Sequence, residues 1–88
     1  MMMATTTTAP VIDRVLALVA RQLRHPDQHS RLAADAALEG DLRIDAIDRL
    51  CISCAVEEEW RIDLTDHEIE AWHCVADIAR SIERRGAS

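Results

Sequence analysis

The sequence contains no lysine, no phenylalanine and no tyrosine, and its 88 residues include only two glycines and two prolines. So little Gly and Pro excludes a turn-rich sandwich, a phosphate-cradling P-loop and a dinucleotide fold, which all depend on special turns. No apolar run approaches the roughly 18–20 residues that cross a bilayer, so no transmembrane helix is expected. Residues 1–9 lack the basic flank and apolar core of a secretory signal and are expected to form a disordered lead. Three cysteines are an odd number, which argues against a closed disulfide framework and makes the cytoplasm the expected compartment. What the chain has in excess is acid: 16 carboxylates stand against 10 arginines, for a formal net charge of −6. Such a surface repels phosphate backbones. Nucleic acid is a poor partner for it, and a basic protein surface is a better one.

The apolar residues recur at helical spacing in most of the chain. Over residues 11–24, Val11, Ile12, Val15, Leu16, Val19 and Leu23 share one side, while Asp13, Arg14, Arg21 and Arg24 share the other. Pro26 ends that segment, because proline cannot continue a helix. Residues 25–44 show no clean period. Leu32, Ala36, Leu38, Leu42 and Ile44 mark them as a long packed loop, with at most one helical turn near 31–38 and a turn at Gly40-Asp41.

Asp45 then caps the most regular segment, residues 46–59, and Asp48 adds a carboxylate at its positive end. Residues 60–64 form an extended connector. Thr65 caps a short helix over 66–71, with Glu68 at the capping-box position. A last helix runs from Cys74 or its neighbour through Arg85, with Val75, Ile78, Ala79 and Ile82 inward. The predicted fold is an all-α four-helix bundle, three longer helices and one short, over residues 10–86.

The helix beginning at residue 46 is unusual. In steps of about 100° per residue, Ile52, Ala55, Val56 and Trp60 cluster on one side. Ile47, Leu50, Cys51 and Cys54 make a second stripe on another side, flanked by Glu57 and Glu58 and headed by Asp45 and Asp48. One explanation is a central helix enclosed by its neighbours. The other is an exposed apolar strip rimmed with carboxylates, the form of a docking face for a basic partner.

The run Leu42-Arg43-Ile44-Asp45-Ala46-Ile47-Asp48-Arg49-Leu50, followed by Glu57-Glu58-Glu59-Trp60, resembles an acyl carrier protein. The family pattern here is leucine, glycine, an aliphatic residue and Asp-Ser-Leu-Asp, with glutamates before an aromatic residue further on. The connector Ile62-Asp63-Leu64-Thr65-Asp66-His67-Glu68 and the start of the last helix, Val75-Ala76-Asp77-Ile78, are similar to the family as well. The likeness covers residues 11 to 84. It implies a four-helix carrier fold that is not an enzyme and works as a monomer. It also implies a role in fatty-acid, polyketide or specialised lipid synthesis, with a 4′-phosphopantetheine arm bonded to the motif serine.

Here Ala46 occupies the serine's position, between Asp45 and Ile47, and a methyl group has no oxygen with which to attack coenzyme A. The arm is therefore expected to be absent. Two explanations stay open: an engineered serine-to-alanine change, or a natural carrier-like interaction or regulatory module that has lost the arm. Arg43 in place of the family's glycine, and Cys51 in place of a frequent acidic residue, favour natural divergence. Ser53 lies on a different side of the helix, has no Asp before it, and is not a substitute. By position, Asp45, Asp48, Glu57 and Glu58 match acidic residues that meet basic surfaces on lipid-synthesis enzymes or acyltransferases. Ile47, Leu50 and Cys54 match the apolar contacts between them, and Trp72 falls near the mouth of the acyl pocket.

Other chemistry is weaker. Cys51 and Cys54 with His73 and Cys74 suggest four zinc ligands, but adjacent residues such as the second pair seldom reach one metal, so no metal is expected. A redox role for the Cys pair lacks a βαβ context. His25 and His29 straddle Pro26 and read as solvated.

Overall fold

A computed structural model of the chain describes residues 9–86. Five helices follow in order: α1 (Val11–Ala20), α2 (Pro26–Ser30), α3 (Ala46–Trp60), α4 (Asp66–Glu70) and α5 (Val75–Glu83). The expected disordered lead lies, apart from Ala9, outside the described residues. Among those residues the only extended pairing is an isolated antiparallel bridge between Ala37 and Cys74. No helix among them is long and apolar enough to cross a membrane.

The all-α expectation holds, with one short helix more than the sequence suggested. Helix α1 ends at Ala20, short of the expected Arg24 and six residues before Pro26, so the proline does not terminate it. Pro26 instead opens α2, since at a first helical position its missing N–H would have no partner anyway. Gln28 completes the corner. Its Oε1 accepts the backbone N–H groups of Arg24 (3.0 Å) and His25 (2.8 Å), and its Nε2 donates to the Leu42 carbonyl at 2.6 Å. One buried amide thus ties the connector after α1, the start of α2 and the long loop together. His25 and His29 are exposed, as expected.

Helix α1 packs chiefly against α5 and also against α3. Its buried residues are Val11, Val15, Leu18 and Val19. Leu18 lay outside the predicted inward stripe and is buried because α1 is covered by two helices rather than one. From α3 come Ile52, Val56 and Trp60, and from α5 Val75, Ile78, Ala79 and Ile82. Each such aliphatic side chain contributes about 1.5–3 kcal/mol by leaving water.

The loop over residues 31–45 is packed, as its composition indicated, although no helical turn forms within 31–38. Ala36, Leu38, Leu42 and Ile44 are buried. The backbone is pinned by the N–H groups of Leu38 to the His73 carbonyl (2.9 Å) and of Ala76 to the Ala34 carbonyl (2.8 Å). This pinning fixes where residue 45 arrives, and so where α3 starts.

Candidate functional site

Asp45 and Asp48 build the start of α3. Asp45 Oδ1 accepts the Asp48 N–H at 2.8 Å and Asp48 Oδ2 accepts the Asp45 N–H at 3.4 Å, a reciprocal capping box. The Asp48 N–H bond holds the Asp45 carboxyl below the usual carboxylate range, and Arg24 adds to the effect. Arg24 also reaches Asp48 Oδ1 at 3.4 Å, so Asp48 is partly neutralised while Asp45 stands in solvent.

Ala46 occupies the first helical position and is exposed. It sits on the rim of an open cleft of about 410 Å³, lined by Glu39, Arg49, Leu50, Asp66, Ile69 and Glu70. Nothing at this position can hold a phosphodiester. Ser53, the one hydroxyl on α3, is 2% exposed and donates its Oγ hydrogen to the Leu50 carbonyl at 2.7 Å. The residues present do not fit a phosphopantetheine arm.

Just before the cap, Arg43 has φ of 55°. A left-handed residue is costly for anything with a Cβ and easy for glycine. Arg43 thus holds a backbone shape at a cost that a glycine would not meet.

Along the outer side of α3, Ile47 is 68% and Leu50 60% exposed, and Cys51 and Cys54 are exposed free thiols. The second stripe is thus open to solvent, not enclosed by other helices. Of the three consecutive glutamates, only Glu58 simply faces water. Glu57 is half-buried and its Oε2 accepts the Leu64 N–H at 2.9 Å, which anchors the connector after α3. Glu59 pairs with Arg14 Nη2 at 2.9 Å, and the Arg14 guanidinium lies 4.7 Å from the centre of the Trp60 ring.

Trp72 is 3% exposed, and its Nε1 donates to Ser81 Oγ at 2.9 Å. It belongs to the core, though it also lines a shallow surface cavity with Arg80 and Arg84. The four ligands considered for zinc do not come together. Cys51 and Cys54 lie on the outer face of α3, and Cys74 caps α5 half-buried. Among the described residues no group of three or more His, Cys, Asp or Glu is arranged to hold a metal.

Arg49 escaped the sequence reading because it belongs to neither apolar stripe. The structure puts it on the lining of the cleft, and it donates to the carbonyls of Ile69 (2.8 Å) and Trp72 (2.9 Å). The available signal was its place three residues after Ala46, one turn along the same side. Glu68 also behaves differently from expectation. Thr65 Oγ1 accepts the Glu68 N–H at 3.1 Å, but the Glu68 carboxylate turns to Arg85 in a bidentate pair, both contacts 2.6 Å. That pairing lowers the Glu68 pKa to about 2.

The chain is 28% identical over 78 residues to the acyl carrier protein of Thermosynechococcus vestitus, an alignment covering 89% of this chain and 94% of that protein. It is 29% identical over 79 residues to the acyl carrier proteins of Rickettsia massiliae and Rickettsia conorii, covering 90% of each chain. No family model matches it.

Proposed function

We propose that this chain, which is similar to acyl carrier proteins over about 90% of its length, is a carrier-type docking domain that works unprimed. In this reading it presents the outer face of α3 to basic surfaces of enzymes that make or transfer acyl groups. The observation that carries it is the pairing, on one helix side, of the exposed Ile47, Leu50, Cys51 and Cys54 with Asp45 at one end and Glu58 at the other. An apolar strip supplies area to cover, and the carboxylates steer a cationic surface and set its register. Asp48 and Glu57 contribute charge from the flanks, although each is already bonded within the domain. The domain performs no chemistry of its own.

A second reading has one observation in its favour. Asp45 caps α3 and leaves residue 46 exposed at the first turn, which is the placement an attachment serine requires. A carrier with serine at that position would hold acyl groups through the arm.

One experiment tests both readings. The chain and its Ala46→Ser variant are incubated with coenzyme A and a phosphopantetheinyl transferase, and intact mass is recorded. The unaltered chain gains no mass, and Ala46→Ser gains the arm. A mass gain on the unaltered chain would show that residue 46 is not the attachment position. With the same transferase as binding probe, Glu58→Lys and raised salt each weaken association, because an exposed charge pair is screened within about 8–10 Å at moderate ionic strength. Binding that ignores both changes would exclude the docking face.

A further inference from the structure

We infer that Arg49 bars hydrocarbon from the interior between α3 and α4, so that this domain cannot sequester an alkyl chain through the cleft beside residue 46. The apolar lining of that cleft is Ala46, Leu50 and Ile69, and Ile69 packs against the core. An apolar wall that continues into a core is the kind of surface an alkyl chain follows.

Arg49 lines the same cleft and ties α3 to the backbone at the end of α4. Its Nη1 bridges the Ile69 and Trp72 carbonyls, its Nη2 lies 3.6 Å from Glu39 Oε2, and the side chain is only 14% exposed. Trp72 lies beside it, sharing with Arg49 a smaller cavity of about 290 Å³. Withdrawing the guanidinium would strip the Trp72 carbonyl of this hydrogen bond and part a charged pair, and burying a hydrocarbon would repair neither loss. Glu39, Asp66 and Glu70 around the cleft add a rim that prefers water or a cation to an alkyl chain. A hydrocarbon brought to this face stays on the outer strip of α3 or with the partner. The inference rests on the cleft alone and does not depend on the docking reading.

The test is a titration of the full chain with 1-decanol, followed by NMR shifts of the Leu50 and Ile69 methyls and the Trp72 indole. The unaltered chain shows no saturable change up to the solubility of the alcohol. Arg49→Met keeps an unbranched apolar stem without the donors, and it binds decanol saturably, about tenfold or more tighter than the unaltered chain. Arg49→Lys retains the charge but cannot span both carbonyls as a planar fork does, and it falls between the two. Saturable uptake at Ile69 by the unaltered chain would overturn the inference, as would a folded Arg49→Met that stays closed. Should Arg49→Met fail to fold, Arg49→Lys decides: a folded Lys variant as closed as the unaltered chain would overturn it too.

Discussion

The two sides of α3 carry similar residues and meet opposite fates. Ile52 on the inner side is 1% exposed, while Ile47 on the outer side is 68% exposed. Residue type does not separate them, since both are isoleucine. Their neighbours do: α1 covers the inner side, whereas α4, five residues long, lies beside the cleft and leaves the outer strip bare. The acidic residues divide in the same way. Glu57 and Glu59 are held by the fold's own N–H and arginine groups, and Glu58 is left to the solvent. On one side of the helix apolar area stabilises the fold, and on the other it lies bare to solvent.

The sharpest way to break this comparison is truncation on the inner side. Ile52→Ala should lower stability by about 2–5 kcal/mol in urea unfolding, since the lost methyl groups leave a cavity that α1 cannot fill. A loss below half a kilocalorie would mean the inner side is not the core.

Acid titration probes the carboxylates. Glu68 is depressed from 4.5 to about 2 by its Arg85 bonds, so its contribution is fully present above the unfolded value. It is lost as pH falls from about 4.5 through about 2, and amounts to roughly 1–2 kcal/mol after solvent screening. Glu68→Gln should flatten the stability curve in that window.

Backbone strain at the two ends of α3 gives a smaller effect of opposite sign. Arg61 ends α3 with φ of 55°, as Arg43 does before its start. Arg61→Gly and Arg43→Gly should each raise stability by about 0.5–1 kcal/mol in the same unfolding assay, because glycine adopts that conformation without a Cβ clash.

The smallest expected effect is on the outer side. Leu50→Ser should change stability by less than about 0.5 kcal/mol yet weaken association with the transferase probe. A stability loss matching that of Ile52→Ala would show that the strip is packed rather than displayed.

Much of the fold was legible because helical periodicity and capping are local. Asp45, Thr65 and the inward residues of the last helix act as the sequence indicates. The corner between α1 and α2 was not legible, because the Gln28 side chain bonds backbone groups of two segments, the 24–25 connector and Leu42 in the long loop. At the site, spacing separated the two apolar stripes of α3 and the Asp45 cap put Ala46 at its first turn, but spacing did not say which stripe is exposed. The role of Arg49 could not, because its acceptors, Ile69 and Trp72, lie 20 and 23 residues away.

By itself, the sequence determined an acidic helical domain, a helix opening at Asp45, and a methyl side chain at that helix's first position. Those properties follow from charge count, periodicity and the chemistry of single side chains. Only the tertiary structure decided which stripe of α3 is covered, which glutamate of the run faces water, and that the Arg49 guanidinium bonds the Ile69 and Trp72 carbonyls. Each of these depends on what another segment of chain brings alongside, and burial and hydrogen bonding are properties of neighbours rather than of residue types.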